Sequence, residues 1–219
     1  MRATAVFVTG GTGYVGGGLI RRLIERAHPV RALARSESGK RVPEGAEVII
    51  GDALDGASFA ARIAPAQTLV HLVGTPHPSP SKAREFREVD LASIRASVSA
   101  ATESGVRHIV YISVAHPAPM MHDYIAARTE GEALVRASGI PATIVRPWYV
   151  LGPGHRWPYL LVPLYALFEA FPATRASAQR LGLVTLAQMV ATLVHAIEAP
   201  PGALRIVEVP EIRAATVDA

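Results

Sequence analysis

A chain of 219 residues in which half of the side chains are apolar is long enough to bury one substantial core and too short for two full-size domains to be the default. It contains no cysteine, which excludes disulfides, thiolate metal sites and cysteine nucleophiles and points to a reducing, cytoplasmic setting. The formal net charge of +4 comes mainly from arginines scattered along the chain, with Lys40 and Lys82 the two lysines, so nucleic acid is not an expected partner: a basic block interleaved with aromatics is missing.

The opening "MRATAVFVTGG" runs directly into an apolar strand-like segment, Ala3–Val8, and a glycine cluster, so no leader peptide is expected. The cluster "VFVTGGTGYVGGGLI" places Gly11, Gly13 and Gly16 in the pattern G-x-G-x-x-G, with Gly10 added, between that strand and a helix predicted over Tyr14–Ala27. Glycines at such a junction let the backbone turn tightly and approach a diphosphate, while the helix N-terminus offers free N–H groups to the anion. Gly17 and Gly18 continue inside the helix at about 1 kcal/mol each relative to Ala, a cost that close packing or ligand approach would offset.

The second strand, Val30–Ala34, leads into "RSESGKR". Arg35 stands nineteen residues beyond Gly16, where an acidic residue would bind the ribose 2′-hydroxyl of NAD and an arginine suits a 2′-phosphate. With Ser36, Lys40 and Arg41 nearby, NADP(H) is favoured over NAD(H), the alternatives being a plain surface arginine and interference from Glu37. Further strands are expected at Ala46–Ile50, Thr68–Val73 and Arg107–Ser113, and a helix at Lys82–Ser104. A helix over His122–Ser138 would put Tyr124 and Arg128 on one face, one turn apart. Such a pair is either a proton donor with its tuning cation or an ordinary aromatic beside an arginine bonded to Glu132.

After the sixth strand, Pro141–Arg146, the stretch "PWYVLGPGHRWPYLLVPLYALFEAF" is dense in aromatics, proline and leucine, and reads as a small apolar lobe at about 148–183. Its plainest use is as the core of that lobe; it also suits a pocket for a bulky substrate, a subunit interface or peripheral contact with a membrane. No apolar run reaches the roughly 18 residues of a transmembrane helix. A helix at Thr185–Ala199 and a strand at Leu204–Val209 close the chain. His77, His116, His122 and His155 follow strands and are alternative acids or bases, His71 is expected in the core, and no histidine spacing matches a metal-ligand pattern.

Strands alternating with helices require crossover connections and therefore a parallel sheet. In that frame "TGGTGYVG", "ALAR", "GDALD", "LVHLVGT", "YISV", Tyr124 and "TIVRPWYVLGPG" resemble the short-chain dehydrogenase/reductase superfamily over residues 3 to 154, and "VTLAQMVATLVHAIE" does so more loosely. More narrowly, the chain is similar to the atypical, NmrA-like NAD(P)H-binding branch, related to extended epimerases and to an accessory subunit of respiratory complex I. The resemblance implies a single α/β domain over 1–219. Its Rossmann-type, doubly wound, mainly parallel sheet would carry helices on both faces and a small C-terminal lobe.

The same resemblance implies that Gly10, Thr12, Gly13, Tyr14, Val15 and Gly16 hold the diphosphate, beside Arg35 and Ser36, whose place after the second strand suits the ribose phosphate. Asp52 and Ala53 would lie beside adenine, Leu72, Val73, Gly74 and Thr75 would pass under the cofactor, and Pro147, Trp148 and Val150 would wall the nicotinamide. Ser113, Tyr124 and Arg128 match the catalytic positions: the phenol exchanges a proton while the serine holds the substrate oxygen. The family's active members carry lysine where this chain has Arg128, and arginine supplies charge but cannot relay a proton. The expected function is an NADP(H)-dependent reductase of a small hydrophobic carbonyl, enone or quinone-like substrate. The alternatives are an NADP(H)-binding redox sensor or assembly factor without turnover, and a cofactor-retaining epimerase or isomerase.

Overall fold

The computed structural model describes residues 3–152, 168 and 170–216. Its strands are β1 (Val6–Thr9), β2 (Val30–Ala34), β3 (Glu47–Ile50), β4 (Thr68–His71), β5 (His108–Ile112), β6 (Ala142–Arg146), β7 (Tyr149–Leu151), β8 (Leu183–Thr185) and β9 (Leu204–Glu208). The seven strands read from the sequence form one sheet in the order β3-β2-β1-β4-β5-β6-β9, with every neighbouring pair parallel. The chain runs outward from β1 to β3 and then returns to β4 on the other side of β1. That reversal opens a crevice at the carboxyl ends of β1 and β4, where open α/β sheets bind ligands.

Alternation along each strand divides the core between the two faces of the sheet. Val6 and Val8 of β1, Val70, Val110 and Val145 pack with Leu19, Ile20 and Leu23 of α1 (Tyr14–Glu25). The main helix of the C-terminal part, Leu186–Glu198, adds Met189, Leu193 and Ile197 to this cluster. On the other face Phe7, Leu69, Ile109, Tyr111 and Ile144 pack with residues from the stretches Ala92–Glu103 and His122–Ala137. Each large apolar side chain buried this way contributes about 1.5–3 kcal/mol, which outweighs the three glycines inside α1. Gly18 has a packing reason as well, because a Cβ there would lie 3.2 Å from Val190 Cγ2.

The helix expected at Lys82–Ser104 runs unbroken from Ala83 to Glu103 but changes its winding on the way. A short turn, α2 (Ala83–Glu85), passes through a π turn, Phe86–Leu91, into α3 (Ala92–Glu103), which is followed by α4 (His122–Ala137). The π turn carries Asp90 into the interior; such bulges re-aim side chains inside helices and are frequent at functional sites.

Within the expected lobe, α5 (Pro172–Arg180) precedes β8, and β7 pairs with β8 in parallel. The rest of the apolar run, residues 153–167 and 169, lies outside the described residues, and His155 with it. Phe168 and Phe171 are exposed. In α6 (Leu186–Glu198), Thr185 and Gln188 make a reciprocal capping box. The strand expected to end at Val209 stops one residue sooner, and α7 (Val209–Ala214) begins there with proline in its first turn.

Candidate functional site

The loop from β1 to α1 is built for close approach. Gly10 has φ +75, a left-handed conformation, and a Cβ on it would lie 2.7 Å from the Leu72 carbonyl carbon. A Cβ on Gly16 would overlap the Gly10 carbonyl oxygen, so the start of α1 sits directly against the loop. Gly13, whose N–H donates to Gly10 O at 3.0 Å, is the N-cap. No side chain caps this end, and the first turn carries no acidic residue. A helix N-terminus in that state fits a diphosphate.

The loop opens onto a cleft of about 510 Å³ at the switch point. Gly10, Thr12, Gly13, Arg35, Asp52, Ala53, Leu72, Val73 and Gly74 line it together. The sequence reading did not name Leu33, Ala34, Ser38, Gly51, Leu54, Pro76 and Val89 as site residues; it noted Arg41 only as a neighbour of Arg35, and all eight also line the cleft. Most of these continue strands whose ends were already implicated. Val89 comes from the π turn and had no sequence signal. Asp52 Oδ1 accepts the Leu54 N–H at 2.9 Å, shaping the turn after β3.

Arg35 is largely exposed and 3.3 Å from Glu37. Ser38 is buried and donates through Oγ to Arg35 O at 3.1 Å, which fixes the arginine's backbone. Ser36 is exposed, bonds to Glu37 at 3.3 Å and is not part of the cleft lining. The Glu37 carboxyl is held below its ordinary value by a backbone hydrogen bond first and by Arg35 and Arg41 after that.

Other residues named from the sequence lie off the cleft lining. The Tyr14 phenol packs at Gly152, Val15 packs on the α1 cluster, and Thr75 is buried just beneath the β4 exit. Pro147 is buried and accepts the Ala115 N–H at 2.9 Å, while Trp148 and Val150 pack partly buried on the cluster shared with α1 and α6.

Ser113, Tyr124 and Arg128 are only partly brought together. The half-buried Tyr124 ring packs on Phe86 at 4.9 Å between centroids, and Arg128 Cζ lies 5.2 Å from the Tyr124 centroid. Arg128 is buried, and its Nη1 donates to Ile112 O at 2.9 Å. The Glu132 pairing considered for Arg128 is replaced by an ion pair from Nη2 to Asp90 Oδ1 at 2.7 Å. The π turn explains the exchange, because it delivers a buried carboxylate to the guanidinium from a neighbouring helix. Asp90 Oδ2 in turn accepts the N–H and the hydroxyl of Thr75 at 2.9 and 2.6 Å. Burial opposes the charge on Arg128, but Tyr124, Tyr111 and Asp90 together raise its pKa further above the usual arginine range.

Glu132 serves a second cluster. Arg146 grips it with two bonds of 2.8 and 2.6 Å, and Arg136 adds one of 2.9 Å. Burial alone would raise the Glu132 pKa, yet the bonds from Arg146 and Arg136, with the Ser113 hydroxyl nearby, hold it below the ordinary value. Ser113 is thus buried with its hydroxyl beside Glu132. His116 Nε2 lies 3.7 Å from the same carboxylate, His122 opens α4 in an exposed position, and His77 is exposed with φ 49.

Asp90 and Glu132 were not named as site residues from the sequence. Asp90 left a readable trace: it falls four residues after Phe86 and four before Ile94, and all three are buried. A carboxylate within an apolar stripe needs a buried partner. His71, as expected, is a core residue, with Nδ1 3.0 Å from both Thr9 Oγ1 and Ser97 Oγ.

A family model described as NAD(P)H-binding matches residues 10–163. The chain is 29% identical over 213 residues to a ceramide reductase of Caulobacter vibrioides, covering 95% of this chain and 65% of that protein. It is 33% identical over 159 residues to the chloroplastic divinyl chlorophyllide a 8-vinyl-reductase of Oryza sativa, covering 66% of this chain and 39% of that one. The chain therefore spans from under half to about two thirds of the length of these relatives. Among solved structures, a short-chain dehydrogenase/reductase superfamily protein from Agrobacterium tumefaciens with bound NAD superposes with a TM-score of 0.68 at 21% identity, over 98% of this chain and 85% of that one. With its glycine cradle, sheet order and matched segment, the chain belongs to the NAD(P)H-binding family that the family model describes.

Proposed function

We propose that the protein is an NADP(H)-dependent reductase of a hydrophobic carbonyl, enone or quinone-like molecule. The observation that carries this reading is the cleft in which the uncapped glycine turn and two arginines, Arg35 and Arg41, line one wall system. The turn would hold the diphosphate through backbone N–H groups, and the arginines would meet the 2′-phosphate. Asp52 and Ala53 would flank the adenine, and Pro147, Trp148 and Val150 would border the nicotinamide side.

NADPH, when bound, would supply the hydride for the electrophilic carbon of the substrate. For a carbonyl the Tyr124 phenol would give its proton to the oxygen, forming an alcohol, and solvent would return the proton to the phenolate. Arg128 supplies positive charge at the tyrosine ring. The reductase names carried by the ceramide and vinyl-reductase relatives support this reaction class. A second reading, in which NADP(H) is held without turnover, draws on the commitment of Arg128 to Asp90.

Fluorescence titration with NADPH, followed by NADPH oxidation across a panel of hydrophobic ketones, enones and quinones, tests both. Tight binding with substrate-dependent oxidation that falls about 100-fold or more in Tyr124→Phe supports the reductase. Tight binding with no oxidation anywhere in the panel supports the non-catalytic reading, and activity indifferent to Tyr124→Phe removes the proton-donor assignment.

A further inference from the structure

Between the end of β5 and the tyrosine on α4, few side chains are placed to meet a substrate. Ser113, which the family resemblance assigns to the substrate oxygen, is 2% exposed, with its hydroxyl beside Glu132. Val114 and Ala115 are buried and apolar, and residues 117–121 carry no side-chain hydrogen-bond donor. His122 and Asp123 are exposed where α4 opens. His116 remains. Its side chain is 23% exposed, while its Nε2 is buried at 3.7 Å from Glu132 Oε1, within ion-pair reach and beyond a direct hydrogen bond. The accessible part of the imidazole therefore lies away from that nitrogen.

Two hydrogen bonds to the neighbouring backbone fix where this ring stands. The Ala115 N–H donates to Pro147 O at 2.9 Å, at the β6 exit proposed above to border the nicotinamide. On the other side Pro117 O accepts from Arg180 Nε at 3.2 Å, at the end of α5 in the small lobe. His116 is held between these two contacts. From α4 the Glu132 carboxylate faces its inner nitrogen, and that carboxylate is itself fixed by Arg146 and Arg136. A substrate presenting its carbonyl between the nicotinamide wall and the lobe meets His116 before any other donor of the β5–α4 connection.

We infer that His116 takes the part expected of Ser113 and donates a hydrogen bond to the substrate oxygen alongside Tyr124. This rests on the reductase reading above and names the second group at the oxygen. Negative charge builds on that oxygen as hydride from NADPH reaches the carbonyl carbon, and a donor already in place is worth most at that moment. A ring protonated on both nitrogens turns one N–H toward Glu132 and keeps the other for the oxygen. The proton that completes the alcohol still comes from Tyr124, so His116 leaves the step as it entered it. The charges grouped around the ring are Glu132 and Arg136 from α4, Arg146 from β6 with Glu208 of β9 behind it, and Arg180 from α5.

The experiment combines steady-state kinetics with NADPH calorimetry on the full chain. With a ketone from the panel that the wild type reduces, His116→Ala should lower kcat by about 100-fold, the scale of one lost oxyanion donor, with KM within about threefold of wild type. His116→Asn, which keeps a short amide donor, should recover to within about tenfold of wild type. NADPH affinity should stay within about twofold in both variants, which also shows that they fold. The loss in His116→Ala should exceed that in Ser113→Ala by about tenfold or more. A wild-type kcat in His116→Ala, or an equal or larger loss in Ser113→Ala, overturns the inference, as does an NADPH affinity that falls as far as kcat. Wild-type protein that reduces nothing in the panel, or that does not bind NADPH, overturns the reductase reading itself, an outcome distinct from an active wild type whose His116 variants match it.

Discussion

Arg146, at the end of β6, holds the fully buried carboxylate of Glu132 on α4 in a two-bond fork, Nε to Oε1 at 2.8 Å and Nη2 to Oε2 at 2.6 Å. The fork ties the helix that carries Tyr124 and Arg128 to the strand that leads into Pro147 and Trp148. Glu208 accepts from Arg146 Nη1 at 2.9 Å, which extends the tie to β9. Glu132→Gln leaves two guanidinium groups facing a neutral amide in a buried site, so a loss of about 3–5 kcal/mol is expected in urea unfolding at pH 7. The sign of the pH effect follows from the lowered carboxyl pKa. Stability from this group is present above its unfolded value of about 4.5 and is lost as the pH falls through the lower folded value. The acid limb of the stability profile should accordingly be shallower in Glu132→Gln than in wild type; parallel limbs would assign the acid sensitivity to other carboxylates.

Nucleotide choice is expected to depend on Arg35 and Arg41 together. Both line the cleft, and Arg35 is shared with Glu37 at 3.3 Å. Replacing both arginines with alanine removes the cations that would meet a 2′-phosphate and should weaken NADPH by at least about 10- to 100-fold, the size of one lost charged contact at about 1.5–3 kcal/mol. NADH, which lacks that phosphate, should change by less than about threefold. Glu37→Gln releases Arg35 from its exposed partner and should tighten NADPH slightly, by about twofold. Competitive fluorescence titration of the two nucleotides measures all three effects. A wild type that prefers NADH, or a double variant that loses both nucleotides alike, would reassign the arginines to general diphosphate attraction.

The sheet was legible because its signals are local and periodic. Each of the seven runs read as a strand is a short apolar run with β-branched residues, and the glycine cluster marks the β1–α1 junction unambiguously. What escaped depends on contacts between elements distant in sequence. Nothing local to Phe86–Leu91 specifies a π turn; its geometry comes with the inward Asp90, whose partners Thr75 and Arg128 lie 15 residues before and 38 after it. The expectation for Arg128 used its own helix, where Glu132 is one turn away, and could not see a carboxylate arriving from another. Likewise β7 and β8, three residues each and more than thirty apart, are too short for alternation to register.

Gly10→Ala tests the cradle directly. The added methyl would sit 2.7 Å from the Leu72 carbonyl carbon and 2.9 Å from the Val73 nitrogen, and the residue would keep φ +75. Backbone atoms on both sides cannot step aside as a flexible side chain could, so the loop itself must move. A destabilisation of about 1–3 kcal/mol is expected from the left-handed conformation and the contact. Binding should suffer more than folding, because the displaced turn is the one proposed to face the diphosphate. Thermal unfolding with and without NADPH separates the two: the variant should lose most of the ligand-induced rise in Tm in addition to its lower starting value. A full ligand-induced rise would mean that the diphosphate does not rest on this turn.

Two buried histidines set a further pH dependence. Burial lowers His71 to a pKa of about 3, with the Arg128 charge adding to the effect. Burial likewise lowers His108, which bonds to Thr143 at 3.0 Å, to about 4. Both fall below the value of 6.5 that they have in the unfolded chain. Above pH 6.5 neither state carries the protons, and the full stability is present. As the pH falls from there toward the folded values, the unfolded chain takes up two protons that the native state refuses. Stability then drops by up to about 3 kcal/mol per pH unit, or about 4 kcal/mol between pH 7 and pH 5. His108→Asn, which can still hydrogen-bond Thr143, should remove about half of that drop. Urea midpoints at the two pH values, measured in wild type and in this variant, give the comparison; an identical pH dependence in both would mean that His108 titrates normally in the folded chain.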